Sequence, residues 1–286
     1  MERGKKNKET TMKIGMAQML VEGGAAEANL AGAVEMIRQA ADAGCDAVVL
    51  PECLDLGWTW PEARQQAVPI PGPRSDLLAA AAKRHRIWVA AGLTERDGDK
   101  IYNAAVLLSS DGQLMAKHRK INELSIAHHI YDLGDRVMAV DSPLGKLGVT
   151  ICADNFHSSL CFGHALGHMG VQLLLSPCAW AVVPEHDNDI KPYSPFWLKA
   201  YQRLASLYDM TIVGVSNVGW ITGGPWKGRK CIGSSLAVGP GGKVLALLPY
   251  GVDAQCLKVI DVQCAPAIAK GAAFADKLLE RGFQEP

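Results

Sequence analysis

The sequence predicts an α/β protein built as a four-layer α-β-β-α sandwich, in which two mixed sheets pack together and helices cover the outside. Apolar runs of strand length alternate with segments of helical periodicity. The order β-α-β-α-β followed by a hairpin occurs twice, and no linker separates the two halves. We therefore expect a single domain over residues 12–286 with an internal pseudo-twofold duplication.

The first half begins with a β-α-β unit, whose right-handed crossover makes its strands parallel. Apolar spacing and turn residues predict strand 13–19, helix 30–41 ending at Gly44, strand 47–50, helix 76–85 capped by Ser75, and strand 87–92. The turn Ser-Ser-Asp-Gly at 109–112 predicts a hairpin between strands 104–108 and 114–117. Residues 118–137 are polar and irregular, which is typical of a long functional loop.

The second half repeats this plan, with turn 240–243 in the place that turn 110–113 occupies in the first half. The predicted elements are a strand ending at Cys152, helix 158–169, strand 171–175, helix 194–208 with proline at its second residue, strand 211–215, hairpin strands 236–238 and 244–247, strand 255–260, and helix 268–281.

The composition is that of an ordinary globular protein and excludes several classes of function. Twenty-nine acidic residues balance 29 basic ones, so there is no electrostatic footprint for nucleic acid or an anionic membrane surface. No apolar run approaches the roughly 18 residues needed to span a bilayer. Residues 1–11 are charged and lack an apolar core, so we expect a disordered extension rather than a secretory signal. Eight cysteines without a CxxC pair favour reduced thiols in the cytoplasm.

Three polar residues at predicted strand ends could together carry out nucleophilic catalysis. Cys152 ends a buried strand, Glu52 follows the run Val-Val-Leu-Pro, and Lys120 lies at the exit of a hairpin. A thiol nucleophile needs a base for its proton and a positive group for the oxyanion that its attack creates. Each residue also has an ordinary interpretation, as a core cysteine, a surface acid and a solvated basic side chain.

The sequence around these residues resembles the nitrilase superfamily of carbon–nitrogen hydrolases, in its amidase-like branch. The motifs are Pro51-Glu52, Arg-Lys-Ile at 119–121, and Gly-Val-Thr-Ile-Cys-Ala-Asp at 148–154, in the order and spacing of that family. The resemblance implies the same four-layer fold, with Glu52 as general base, Cys152 as nucleophile, Lys120 as the stabilising cation, and the Ala153 N–H as a second oxyanion donor. It also implies catalysis without a metal or an organic cofactor.

The resemblance leaves the fourth catalytic residue and the acyl pocket open. Many amidases of the family carry a second glutamate after the lysine, a role that either Glu123 or His129 could fill here. The residues that could shape the substrate pocket are Trp58, Trp60, Tyr131, Asn155 and Trp180.

A small-molecule amide, hydrolysed to a carboxylate and ammonia through a cysteine thioester, is the substrate that the resemblance favours. N-carbamoyl amines or amino acids are an alternative, although no arginine follows the nucleophile as is usual in that branch. Nitriles are another alternative, although Ala153-Asp154 stands where nitrile-hydrolysing members usually have Trp-Glu.

Helix 158–169 supports two further hypotheses. His157, Cys161, His164 and His168 share one helical face and could bind zinc, so a metal-binding or catalytically silent oligomeric protein remains a non-enzyme alternative. The same segment has few charges, which favours packing against a second copy. We therefore expect a homodimer or a higher even-numbered homo-oligomer.

Overall fold

The computed structural model describes residues 11–284, and within this range the chain forms fifteen strands and six α-helices. The strands are β1 Thr11–Gln18, β2 Ala47–Val49, β3 Trp88–Asp97, β4 Lys100–Leu108, β5 Leu114–Arg119, β6 Ala139–Ser142, β7 Gly145–Val149, β8 Leu173–Cys178, β9 Ala181–Val182, β10 Thr211–Ser216, β11 Val218–Trp220, β12 Lys230–Ile232, β13 Leu236–Gly239, β14 Lys243–Leu247 and β15 Cys256–Gln263. The helices are α1 Ala26–Asp42, α2 Ala63–Gln66, α3 Pro73–His85, α4 Leu160–His168, α5 Ser194–Tyr208 and α6 Phe274–Glu280.

Two six-stranded mixed sheets repeat one topology, which confirms the predicted duplication. The first sheet has the strand order β15-β1-β2-β3-β4-β5, and the second has the order β6-β7-β8-β10-β13-β14. In each sheet the second, third and fourth strands are parallel, and antiparallel strands flank them on both sides. A smaller sheet of β11, β12 and β9 lies beside them.

Alternate residues of the central strands face different layers, as the period of a strand requires. In β2, Ala47 and Val49 join the large core in which the two sheets meet, together with Leu147 of the second sheet. Val48 between them joins a second core under α1 and α3, which contains Ile37. Fully burying an aliphatic side chain stabilises the fold by about 1.5–3 kcal/mol. The alternation therefore determines which face of the sheet packs on the other sheet and which packs under the helices.

Most predicted elements are confirmed, and the boundaries differ where turns decide them. Helix α3 begins earlier than predicted, because Gly72 is its N-cap and the Ser75 hydroxyl accepts the Gly72 N–H at 2.9 Å. Strand β1 includes Thr11, which the prediction placed in the extension, and residues 1–10 lie outside the described range. Within residues 11–284, no helix is long and apolar enough to cross a bilayer.

Candidate active site

Glu52 is held in a tight turn that directly follows β2. Its N–H donates to the Cys178 carbonyl of the second sheet at 3.1 Å, so the turn bridges the two halves of the domain. Gly92 lies so close to this turn that a Cβ at its position would come within 2.5 Å of the Glu52 Cα. The Glu52 carboxylate is buried and accepts hydrogen bonds from Lys120 Nζ at 2.7 Å and Asn103 Nδ2 at 2.6 Å.

A second buried carboxylate, that of Glu123, completes a charge cluster around Lys120. The Lys120 ammonium donates to Glu123 Oε1 at 3.1 Å as well as to Glu52, and it is 2 % exposed. The Asn103 amide donates to both carboxylates, at 2.6 and 2.9 Å, and so fixes their separation. Removing one partner from such a buried ionic cluster leaves an uncompensated charge, which typically costs about 3–5 kcal/mol.

Burial and mutual charge set the protonation states of this cluster. Burial raises the pKa of Glu52, with Lys120 opposing the shift and the negative charge of Glu123 adding to it. Burial alone would lower the pKa of Lys120, but the two carboxylates raise that pKa well above its usual range. Lys120 is therefore a permanent cation, and Glu52 is a stronger proton acceptor than an exposed carboxylate.

Cys152 lies on a strained turn between β7 and α4. Strand β7 ends at Val149, so Cys152 is not the last strand residue that the sequence predicted but opens a short 3₁₀ turn, Cys152–Asn155. Its φ of +43° is rare for a residue with a side chain and is typical of strained functional positions. Burial raises the pKa of the Cys152 thiol well above its usual range, and its hydrogen bond to Cys178 adds to this. The Cys152 thiol is therefore neutral in the resting state.

Asp154 ties the nucleophile turn to the loop that carries the lysine. It accepts the N–H groups of Ile151 at 2.9 Å, Ile121 at 3.1 Å and Asn122 at 2.8 Å, and its other close partner is His118 Nε2 at 2.7 Å. Burial alone would raise the Asp154 pKa, but His118 and the N–H donors lower it below its usual range. This role is not predicted from the sequence, although an acid two residues after a buried cysteine is a usable signal.

Glu52, Lys120 and Cys152 line a single cavity of ≈ 50 Å³, together with Ala153 directly after the nucleophile. Most of the remaining wall is apolar or aromatic. It is formed by Trp58, Leu124, Phe156, Ala179, Trp180, Ala181, Tyr193, Trp197 and Trp226. The three residues that the sequence singled out as catalytic therefore converge on one space, although they lie far apart along the chain.

The other residues predicted for the site divide into two groups. Trp58 and Trp180 line the cavity, and Glu123 contacts the lysine, whereas His129 is exposed to solvent. The remaining three predicted pocket residues do not line this cavity. Trp60 lines a separate pocket, Tyr131 accepts the Thr59 N–H at 3.1 Å, and Asn155 hydrogen-bonds to Thr150 and Ser176.

Two of the three histidines predicted for an alternative zinc site pack against aromatic side chains. His164 hydrogen-bonds to the Tyr208 hydroxyl at 2.7 Å, and the His168 ring lies 4.5 Å from that of Phe274. His157 and Cys161 are exposed. Among residues 11–284, no group of three or more His, Cys, Asp and Glu side chains is placed to hold a metal ion.

Two duplicated α/β sheets, with a cysteine, a glutamate and a lysine lining one cavity between them, fit a carbon–nitrogen hydrolase of the nitrilase superfamily. The chain belongs to the carbon-nitrogen hydrolase family, whose sequence profile matches residues 13–266. It is therefore a hydrolase that acts on carbon–nitrogen bonds other than peptide bonds, in the amidase-like branch.

The curated relatives are named as amidases or nitrilases, and the solved structures share the fold. The chain is 29% identical over 279 residues to omega-amidase NIT2-A of Xenopus laevis, covering 88% of this chain and 92% of the relative. It is 29% identical over 225 residues to a nitrilase of Pyrococcus abyssi, covering 77% and 78%. A carbon-nitrogen hydrolase from Helicobacter pylori G27 shares the fold with a TM-score of 0.78 at 19% identity, covering 89% and 90%. An amidase from Nesterenkonia sp. does so with a TM-score of 0.74 at 18%, covering 90% and 92%.

Proposed function

We propose that this enzyme hydrolyses small-molecule amides to a carboxylate and ammonia through a thioester on Cys152. The observation that carries the proposal is the shared cavity of Glu52, Lys120 and Cys152, in which the glutamate and the lysine are joined at 2.7 Å. The name of the Xenopus laevis omega-amidase supports an amide as substrate. Ala153-Asp154 after the nucleophile also favours amides, because nitrile-hydrolysing relatives usually have Trp-Glu there.

In the first step, Glu52 takes the proton of the Cys152 thiol while the sulfur attacks the amide carbon. The thiol is neutral at rest, so proton removal and attack have to be coupled. The resulting oxyanion is stabilised by the Lys120 ammonium and the Ala153 N–H, both of which border the cavity. Protonated Glu52 then transfers the proton to the amide nitrogen, the C–N bond breaks, and ammonia leaves the thioester behind.

In the second step, Glu52 takes a proton from water as the water oxygen attacks the thioester carbon. The tetrahedral intermediate forms in the same position and uses the same two donors. Its collapse breaks the C–S bond and releases the carboxylic acid, and the sulfur regains a proton from Glu52. A single buried base of raised pKa serves both steps, since it returns to its starting state after each one.

Ammonia release from an amide and from a nitrile with the same acyl group tests this proposal. We expect the amide to be turned over faster, and Cys152→Ala and Glu52→Gln to lower turnover by about 1,000-fold or more. Cys161→Ala is the matched control, because Cys161 is exposed and does not line the cavity. Faster hydrolysis of the nitrile, or of an N-carbamoyl compound, would contradict the amide assignment. Full activity in Cys152→Ala would contradict the mechanism.

We also place the enzyme in the cytoplasm as a homo-oligomer. All eight cysteines are free thiols, which fits a reducing compartment. The oligomer would form through the weakly charged surface around α4. Met169 follows α4, and Phe196 lies on the neighbouring helix α5. Both are exposed apolar side chains, which supports an interface at this surface.

A further inference from the structure

We propose that Cys152 is a site of reversible oxidation by hydrogen peroxide, and that Cys178 is the resolving thiol that converts the oxidised nucleophile into a disulfide. The inference goes beyond amide hydrolysis, since it concerns the regulation of the nucleophile, but it rests on Cys152 being the reactive thiol of the proposed function. It follows from the position of a second buried cysteine that the proposed mechanism does not use.

The two cysteines lie at corresponding positions after neighbouring strands. Cys152 opens the turn after β7, and Cys178 ends β8. These strands are parallel, and their last paired residues are Val149 and Leu175. Three residues further along each chain segment, the same register brings Cys152 level with Cys178. Neighbouring strands lie about 4.7–4.9 Å apart, and a disulfide requires Cα atoms about 4.4–6.8 Å apart. The spacing of the two strands therefore suits a disulfide between the two cysteines.

Side-chain contacts also connect the nucleophile turn to the end of β8. Asn155 of the turn donates to Ser176 Oγ at 2.9 Å, and Cys178 Sγ lies 3.6 Å from that same oxygen. The Tyr201 hydroxyl lies 3.9 Å from Cys178 Sγ. Burial raises the pKa of Tyr201 well above its usual range, and Cys178 and Cys152 both add to this shift. The two thiols therefore lie near one side chain, in agreement with the hydrogen bond between them.

Two other buried cysteines near the site have different neighbours. Cys53 Sγ lies 3.8 Å from the Tyr131 hydroxyl, and Cys231 lines a separate pocket. The Cys178 thiol, in contrast, hydrogen-bonds to Cys152. Cys178 is therefore the partner that the structure assigns to the nucleophile.

The cavity gives a small oxidant access to Cys152 and withholds Cys178. Cys152 lines the cavity of ≈ 50 Å³ and is 8 % exposed, whereas Cys178 is fully buried. A cavity needs about 10–15 Å³ to hold one water, so hydrogen peroxide, with its two oxygen atoms, fits in this space. Glutathione disulfide is far larger than the cavity. The oxidant is therefore a small hydroperoxide, and it reacts first with Cys152.

The oxidation takes two steps. In the first, Glu52 accepts the Cys152 proton while the sulfur attacks one peroxide oxygen. The O–O bond breaks, and the leaving hydroxide takes the proton from Glu52 and becomes water, which leaves Cys152 as a sulfenic acid. In the second, the Cys178 sulfur attacks the Cys152 sulfur, the S–O bond breaks, and the hydroxyl leaves with the Cys178 proton as water. Two thiols thus lose two electrons, and one peroxide is reduced to two waters.

The disulfide would switch the enzyme off and protect its nucleophile at the same time. A sulfenic acid without a resolving thiol is oxidised further to a sulfinic acid, which a thiol reductant does not restore. A disulfide, in contrast, is returned to two thiols by a dithiol. Disulfides of cytosolic proteins are usually transient and catalytic or redox-sensing, which fits this role.

Recovery of activity after peroxide tests the role of Cys178. Wild type and Cys178→Ser are treated with hydrogen peroxide and then with dithiothreitol, and ammonia release from an amide is compared with that of each untreated protein. The serine keeps a donor for the Ser176 carbonyl, to which Cys178 Sγ donates at 3.2 Å. We expect wild type to regain about tenfold more of its activity than Cys178→Ser, because the variant proceeds to the sulfinic acid. Equal recovery would overturn the inference.

Mass spectrometry of peptides prepared without reductant gives a readout independent of activity. Peroxide-treated wild type should yield cross-linked peptides that contain Cys152 and Cys178 and are lighter by two hydrogen atoms than their sum. In Cys178→Ser, or in Cys178→Ala if the serine prevents folding, the Cys152 peptide should be heavier by two oxygen atoms. Cys231→Ser is the control, because Cys231 is also buried, and it should form the wild-type cross-link.

Two outcomes separate this inference from the proposed function. The absence of a cross-link in wild type that hydrolyses amides, or a cross-link from Cys152 to Cys53 or Cys231, would contradict the role of Cys178. The expected cross-link in a protein that hydrolyses no amide would support the thiol pair and contradict the proposed function.

Discussion

Asn103 and Glu123 show how a few side chains create the electrostatic conditions for catalysis. Asn103 donates to two carboxylates at once, and Glu123 also accepts the Leu124 N–H at 2.9 Å. Glu123 is therefore a rigid anion beside Lys120. It holds the ammonium in place and, through its charge, raises the pKa of Lys120. In the proposed mechanism, the second carboxylate therefore acts on the Lys120 cation and through it on the oxyanion.

Glu123 rather than His129 should prove to be the residue that assists Lys120. Glu123→Gln removes one of the two charges that hold the ammonium, so we expect kcat to fall about 100-fold with a small change in KM. His129→Gln alters an exposed side chain and should leave both constants within about twofold of wild type. Steady-state kinetics on one amide decide between them. Loss of activity in His129→Gln with full activity in Glu123→Gln would reverse the assignment.

Whether a site residue could be predicted from the sequence depends on whether it lies in a recognisable motif. The convergence of Glu52, Lys120 and Cys152 could be predicted, because each lies shortly after a strand within a short family motif. Asn103 and His118 could not, because both lie inside antiparallel strands, β4 and β5, whose sequences carry no functional pattern. Their roles arise only when the strands place them beside Glu123 and Asp154.

The nucleophile turn depends on an element of the other sheet for its shape. Asp154 joins the turn after β7 to the loop after β5, and four hydrogen bonds converge on its two oxygens. The turn holds Cys152 at positive φ, so these bonds offset local backbone strain. The same hydrogen bonds therefore position both the Cys152 thiol and the loop that carries Lys120.

Asp154→Asn should destabilise both the turn after β7 and the whole fold. The loss in the free energy of unfolding should depend on pH. The pKa of Asp154 is lowered in the folded protein, so its ionised form stabilises the native state above its unfolded pKa of about 3.9. That contribution is lost as pH falls through the folded pKa. The deficit of Asp154→Asn in the free energy of unfolding should therefore be largest near pH 7, about 2–4 kcal/mol, and shrink below pH 4.

Urea unfolding of wild type and Asp154→Asn across that pH range measures this deficit. Activity serves as a second readout, because a displaced turn should lower kcat more than it raises KM. Asp141→Asn is the control, since the Asp141 side chain is 87 % exposed at its ion pair with Lys146. A deficit that is constant with pH would show that the charge of Asp154 is not what stabilises the turn.

Elements with strong periodicity were predictable, whereas the strands of the small sheet were not. The helix that begins at Ser194 agrees with its prediction, because Pro195 marks its first turn and an apolar face follows. Strands β9, β11 and β12 have only two or three residues each. These strands exist because their neighbours in the small sheet supply hydrogen-bond partners.

The duplication of the whole molecule explains why the cavity lies between its halves. The first half supplies Glu52 and Lys120, and the second supplies Cys152. The Glu52 N–H bond to the Cys178 carbonyl joins the two sheets beside the cavity. Since both sheets bury their shared face, small relative shifts of the halves are costly, and the catalytic groups keep their separation. The fold class was predictable because the order β-α-β-α-β followed by a hairpin occurs twice in the sequence.

We predict that copies of the chain associate through the surface around α4, which belongs to the second half of the chain. Met169 and Phe196 are 47 % and 54 % exposed, and Cys161 on α4 is exposed as well. Phe196 also packs edge-on against Phe156 with ring centroids 5.3 Å apart, and Phe156 lines the cavity. An interface at this surface would therefore support the cavity wall from behind.

The double substitution Cys161→Arg with Phe196→Arg should dissociate the proposed homo-oligomer and lower kcat/KM about tenfold, through the lost support of Phe156. Light scattering at micromolar concentration measures the mass, and ammonia release measures the activity. Leu77→Arg is the control, because Leu77 is 45 % exposed on α3, on the outer layer of the other sheet. A wild-type monomer would contradict the assembly, and so would a double variant that keeps the wild-type mass. A dissociated variant with full activity would show that the interface and the cavity wall are independent.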